Sequence, residues 1–228
     1  MANRYLYLAR HGAAIDEGEL SETGCEQAEL LGKRLAEHPI TAVHHGPLPR
    51  AARTAEIVAR HLPGAQVRTA DLYGDYVPAA PPRDELPPAH AAFLNGFTDA
   101  ELTSGPPLAA AAIARHAGPA DVETHELIIT HNFLVAWFVR HALGAPEARW
   151  MGLNQGNCAL TVILYRPEVP PSLMFFNDMS HLPQDLRWTG FPRHCGCDTA
   201  WGWRSRAGSP TRRTWSGSGA AAAATSRR

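Results

Sequence analysis

The stretch Arg4-Tyr5-Leu6-Tyr7-Leu8-Ala9-Arg10-His11-Gly12 decides how the rest of the chain is read. Its first six residues, rich in β-formers, give a short strand. That strand runs directly into an arginine, a histidine and a glycine. The same order returns at residues 126–132, where Glu126-Leu127-Ile128-Ile129-Thr130 is followed by His131 and Asn132. The unbroken apolar centre of this second strand implies burial on both faces, as in a parallel sheet covered by helices.

Working outward, each strand is followed by a helical pattern. Residues 21–38 carry Cys25, Ala28, Leu31 and Leu35 on one stripe, and Pro39 ends the run. Ser21, or Thr23 with Glu26 as a capping box, starts it. Residues 40–44 read as a second strand. Residues 49–62 read as a second helix, with Ala51, Ala55, Val58 and Leu62 on one face and Pro63-Gly64 as terminator. Residues 66–72 give a third strand. An insert with Pro78, Pro81, Pro82, Pro87 and Pro88 is too proline-rich for one regular element, and helical pieces follow at 89–96 and 107–117. Residues 132–143, apolar nearly all round, predict a buried helix that Gly144 ends. Residues 159–165 and 172–176 predict a closing strand pair. This alternation predicts an α/β fold, a three-layer α/β/α sandwich with a mostly parallel sheet.

The 228 residues are 45% hydrophobic, enough for one substantial core. No run of about 18 uncharged apolar residues occurs, which excludes a spanning helix and leaves no membrane role expected. Residues 193–228 hold seven arginines and one aspartate although the whole chain carries a net charge of −1. The body is therefore acidic, which argues against nucleic acid as a partner. The segment 193–228 also lacks Val, Ile, Leu, Met and Phe, so it is expected to be a basic, disordered tail behind a catalytic domain at 1–192. The four cysteines, Cys25, Cys158, Cys195 and Cys197, are too few and too uneven for a disulfide framework. No secretory signal follows Met1, so a cytoplasmic protein is expected.

Ligands of open α/β sheets sit beyond the carboxyl ends of the strands. Arg10 and His11 follow the first strand, Arg50 opens the helix after the second, Asp71 and Asp75 bracket the end of the third, and His131 follows the fourth. Each is weak evidence alone; their shared edge is the signal. Two guanidiniums present forked donors matched to phosphate oxygens, and helix N–H groups near Asn132 add anion affinity. A neutral imidazole can attack phosphorus, a second histidine can donate to the transferring oxygens, and a carboxyl group can protonate the leaving alcohol. With cationic side chains neutralising the phosphoryl group, neither a metal nor any other cofactor is expected.

The chain resembles the histidine phosphatase superfamily, the phosphoglycerate-mutase-like clan. Tyr7-Leu8-Ala9-Arg10-His11-Gly12 is similar to its Arg-His-Gly signature, and Leu20 to Ala28 to its Leu-Thr-x-x-Gly-x-x-Gln-Ala helix start. Gly46 to Ala55 is similar to its Ser-x-Leu-x-Arg-Ala-x-x-Thr-Ala segment, and Ile128 to Asn132 to its second-histidine segment. The resemblance implies His11 as the phosphorylated nucleophile, with Arg10, Gly12, Arg50 and Asn132 binding phosphate and His131 completing the pocket. The loop after Gly12 lacks the family's frequent Thr and Asn, which brings in Ser21 as a substitute contact. The family's Leu-x-Glu acid is absent; Asp75 takes its place, with Asp71, Asp84 and Glu85 as alternatives. Tyr73, Tyr76 and the prolines of 78–88 form a candidate rim. A small-molecule phosphate monoester or a phosphoprotein is the substrate this implies; the oligomeric state is left open.

Rival readings are weaker. A zinc-like set from His44-His45, His131 and Cys195-Gly-Cys197 lacks the usual paired ligand spacings. A phosphomutase would need the insert to exclude water, and a non-catalytic phosphate-binding module would share the fold. No Gly-x-Gly-x-x-Gly follows the first strand, which excludes a dinucleotide site.

Overall fold

A computed structural model describes residues 1–15 and 18–191. The expected tail and Cys195 and Cys197 lie outside the described residues. The first strand, β1 (Arg4–Arg10), leads to helix α1 (Glu22–Leu35), then β2 (Ala42–His45), α2 (Pro49–Ala59) and β3 (Gln66–Thr69). The insert contributes α3 (Pro88–Leu94) and α4 (Asp99–His116). The chain then returns as β4 (Thr124–Thr130), α5 (Asn132–Ala142), β5 (Leu160–Arg166) and β6 (Val169–Asp178). The six strands form one sheet in the order β3-β2-β4-β1-β5-β6. The pairs among β1 to β4 are parallel and the β5 pairings antiparallel, as the alternation predicts.

Strand alternation sends successive side chains to opposite faces, and β1 uses both. Leu6 and Leu8 join Ile128, Phe138, Trp150 and Tyr73 in one buried cluster. Tyr7 and Ala9 join Leu31, Val58, Leu127 and Ile129 in the other, beneath α1 and α2. Two apolar layers on a central sheet make the three-layer sandwich. Helix α5 is buried along Leu134–Val139 and stops where Gly144 takes a left-handed φ of 59°, the conformation glycine adopts without cost.

Three local expectations change. The third strand ends at Thr69 rather than residue 72, because Asp71–Tyr73 turns into a 3-10 helix. Helix α1 is capped by Ser21, whose Oγ accepts the Gly24 N–H at 3.0 Å, and not by Thr23 with Glu26. Helix α4 begins at Asp99, well before residue 107, and contains Pro106 and Pro107. A reciprocal capping box between Thr98 and Glu101 starts it, and that gain offsets the donors the two prolines lack.

Candidate active site

Register sets the centre of the site. Arg10 of β1 pairs with Thr130 of β4, and the His11 N–H donates to the Thr130 carbonyl at 2.9 Å. Two residues that leave adjacent strands at the same level must lie side by side, and the rings of His11 and His131 stand 5.0 Å apart. Both side chains are buried, His131 at 1% exposure.

The chain around His11 is held by groups that orient it. Its Nδ1 lies 2.8 Å from the Gly12 carbonyl, so Nδ1 carries the proton and Nε2 keeps a lone pair. The Arg50 Nε–H donates to that Nε2 at 3.2 Å. Asn157 Nδ2 donates to the His11 carbonyl at 2.8 Å, and the Gly12 N–H donates to Thr54 Oγ1 at 3.0 Å. A Cβ on Gly12 would lie 2.5 Å from the Gly24 carbonyl oxygen, so only glycine lets the loop pack against the start of α1.

Arg50, at the start of α2, reaches across to Asp75: its Nη2 donates to Asp75 Oδ2 at 2.8 Å. The same oxygen lies 3.4 Å from His131 Nδ1, close but not aligned for a hydrogen bond, since both ring nitrogens of His131 lack a partner. Arg10 is anchored through Nη1, which donates to the carbonyls of Gln155 and Gly190 at 2.9 and 3.0 Å. Among the described residues the cluster brings two guanidiniums, Arg10 and Arg50, to one carboxylate, Asp75. Burial pushes His11 well below its ordinary pKa, with His131, Arg10 and Arg50 adding to the shift. Burial, then Arg50 and Arg10, pushes His131 down to about 3. Both imidazoles are therefore neutral near pH 7, and the Arg10 cation is itself disfavoured by burial. Two guanidiniums beside two unbonded imidazole nitrogens suit a ligand rich in acceptors, such as an oxyanion.

The remaining expected contacts divide. Asn132 opens α5, but its side chain bonds Asn154 and the Gln155 N–H, so only its backbone N–H is left for an anion, at a helix end with no side-chain cap. Ser21 is corrected: its Oγ accepts from Gly24 and donates to the Ala13 carbonyl, which uses the hydroxyl inside the loop. The Gly12 N–H is likewise taken by Thr54, so Gly12 positions rather than binds. Asp71, Asp84 and Glu85 are exposed, and Glu85 lines a separate groove with Pro81, Pro82 and Glu147. Tyr73 is 1% exposed and cannot form a rim. Thr54, Gln27 and Asn157, buried polar residues that tie the loop bearing His11, were not singled out. Thr54 had a signal, one helical turn after Arg50; Asn157, in a polar loop, had none.

Of the rival zinc-like set, Cys195 and Cys197 lie outside the described residues, and the described members face elsewhere. His45 Nδ1 faces the Gly46 carbonyl, and His131 belongs to the cradle. Among the described residues one other group, His44, His116 and Glu126, offers donor atoms within 4.8 Å of one another. Arg4 Nη1 lies 2.5 Å from Glu126 Oε2 and matches the only negative charge there. A divalent ion would add two uncompensated charges to a buried site, so the trio suits hydrogen bonding better than metal.

Comparison with known proteins supplies the family and the fold. The sequence model of the histidine phosphatase superfamily (branch 1) matches residues 6–178. The mitochondrial serine/threonine-protein phosphatase Pgam5 of Caenorhabditis elegans is 34% identical over 188 residues, covering 80% of this chain and 65% of the relative. Its human counterpart is 28% identical over 198 residues, covering 81% and 65%. The chain thus spans about two thirds of these relatives' length. In fold it is similar to the Bacillus stearothermophilus protein YhfR, with a TM-score of 0.59, 21% identity and coverage of 78% and 98%. It is similar also to a Plasmodium falciparum phosphoglycerate mutase, with a TM-score of 0.51, 21% identity and coverage of 81% and 96%. The expectation of a cytoplasmic protein is overturned, because the relatives from nematode, mouse and human are all named mitochondrial. With the match running from β1 through β6, the chain belongs to the histidine phosphatase superfamily.

Proposed function

We propose that this chain is a metal-independent phosphatase that hydrolyses phosphate monoesters through a phosphohistidine at His11. One observation carries the reading: a neutral imidazole, with Nδ1 pinned to the Gly12 carbonyl, turns its Nε2 toward Arg50 and stands 5.0 Å from a second imidazole. The phosphoryl group docks among Arg10, Arg50, His131 and the first N–H groups of α5. The monoester docks as its monoanion and passes its acidic proton to Asp75; Nε2 of His11 then attacks phosphorus, the bond to the leaving oxygen breaks, and the Asp75 carboxyl gives that oxygen this proton. His131 and the arginines hold the three phosphoryl oxygens as charge moves onto them. Water then attacks the phosphohistidine and gives its proton to the ionised Asp75, releasing phosphate and restoring both groups.

The relatives named serine/threonine-protein phosphatases support a phosphorylated serine or threonine side chain as substrate. Such an alkyl phosphate has a poor leaving group and needs the acid. The test is turnover of an aryl phosphate, a small alkyl phosphate and a phosphoserine peptide with chelator present, alongside acid-quench trapping of the phosphoenzyme. Wild type should turn over all three and carry the label on His11. His11→Ala should lose both turnover, by at least about 10⁴-fold, and label; retained activity in that variant overturns the reading.

A further inference from the structure

Beneath the cradle, on the sheet face that also carries Ile128, lies a buried chain of polar groups that the proposed chemistry does not touch. Glu126 of β4, with Arg4 Nη1 at 2.5 Å, also lies 3.2 Å from His116 Nδ1 at the end of α4. The carboxylate can only accept, so His116 Nδ1 carries the proton and its Nε2 accepts. The Tyr73 hydroxyl lies 2.8 Å from that Nε2 and donates to it. His44 closes the group, with Nε2 3.6 Å from the other Glu126 oxygen. His116, His44 and Tyr73 are each 1% exposed. Burial raises the Tyr73 pKa to about 12, which keeps its donor proton in place.

Tyr73 is fixed at its other end too. Its carbonyl accepts the Thr130 Oγ1 hydroxyl at 2.7 Å, and Thr130 is the residue before His131. A Cβ on Gly46 would lie 2.3 Å from the same carbonyl oxygen, so the turn is pressed against the end of β2. Asp75 stands two residues further on. It is the exposed end of this turn, with 39% side-chain exposure, and it must be held over the reacting oxygen by the chain beneath it. Asp75 meets Arg50 and His131 beyond the strand ends, while Tyr73 reaches His116 and, through it, Glu126.

We infer that Tyr73, His116 and Glu126 form a positioning brace that sets where the Asp75 carboxyl stands relative to the leaving oxygen, an inference that rests on the phosphohistidine reading above. None of the three touches substrate. The brace fixes the 3-10 turn in one rotation about the Tyr73 ring, and Asp75 inherits that placement. Losing it matters most where proton donation limits the rate, with alkyl leaving groups, and least with aryl ones that depart unassisted.

The experiment is a double-mutant cycle on the full chain. Tyr73→Phe keeps the ring and removes the donor. It should lower kcat on a small alkyl phosphate about fivefold, leave KM within twofold, and change kcat on an aryl phosphate less than twofold. In an Asp75→Asn background the same substitution should leave the alkyl-to-aryl ratio unchanged, since there is no acid left to misplace. His116→Gln gives the same comparison should Tyr73→Phe fail to fold. An equal fall on both substrates, or a selective fall that persists without Asp75, overturns the brace. Trapping of phosphate on His11 from the aryl substrate separates this from failure of the parent reading: the brace can fail while His11 still labels, whereas no label in wild type removes the phosphohistidine itself.

Discussion

Two clusters in this protein are built from nearly the same parts and behave in opposite ways. The cradle beyond the strand ends has two histidines, two arginines and one carboxylate: His11, His131, Arg10, Arg50 and Asp75. The buried group under α4 has two histidines, one arginine and one carboxylate: His44, His116, Arg4 and Glu126. In the second, arginine and glutamate match, His116 bonds on both ring nitrogens, and His44 leaves one nitrogen, Nε2, without a hydrogen-bond partner. In the first, both nitrogens of His131 are unbonded among the described residues. A folded protein tolerates unpaired buried donors where a ligand supplies the partner. Residue type does not separate a site from a structural network; the unmet valence does.

Neutralising one charged side chain in each cluster should break the symmetry most visibly. Arg10→Gln removes one of the two fixed donors for phosphate, and kcat/KM on an aryl phosphate should fall about 10²–10³-fold. Its stability should hold or rise, because burial disfavours the Arg10 charge in the empty protein. Glu126→Gln should do the reverse. Leaving Arg4 without its carboxylate should cost about 2 kcal/mol in urea unfolding, toward the low end for a partly exposed pair. Turnover of the aryl phosphate should stay within threefold. A rate loss from Glu126→Gln comparable to that of Arg10→Gln would erase the distinction between the two clusters.

Much of the fold was legible because strand and helix periods differ so plainly. The two strands of residues 4–9 and 126–130, each feeding a histidine, led directly to the registered pair of β1 and β4. The cradle was legible for the same reason: residues at strand ends inherit their neighbours from register alone. The long insert was not. Pro106 and Pro107 argue locally against a helix, and only the capping box at Thr98 and the packing of the buried Gly105 against the Val77 carbonyl show why one persists. Asp75 could be proposed but not oriented, since its position depends on Arg50, 25 residues away. The brace was invisible, because Tyr73, His116 and Glu126 lie in three separate elements with no shared spacing. Ser21 misled by chemistry: a hydroxyl near a phosphate loop and a hydroxyl at a helix start look alike in sequence.

The smallest effect distinguishes the clusters by pH. His131 is neutral and pushed down to about 3 in the folded protein, whereas an unfolded histidine titrates near its ordinary value of about 6.5. Below that value the unfolded chain binds the extra proton, so the stability His131 contributes is complete above pH ~6.5 and drains as the pH falls toward 3, by at most about 1.4 kcal/mol per pH unit. His11, His38, His116, His141 and His181 are also shifted down by burial and add to the same slope, so a single wild-type curve cannot isolate His131. The difference can. His131→Gln should flatten the fall in Tm between pH 6.5 and 4.5, and inorganic phosphate should flatten it in wild type by supplying the missing negative charge. Phosphate should do nothing for the slope that His116 contributes, because Glu126 already faces that ring. A variant whose Tm falls as steeply as wild type, or a phosphate effect that survives unchanged in a variant lacking both His11 and His131, would mean that the phosphate-sensitive groups lie elsewhere than in the cradle.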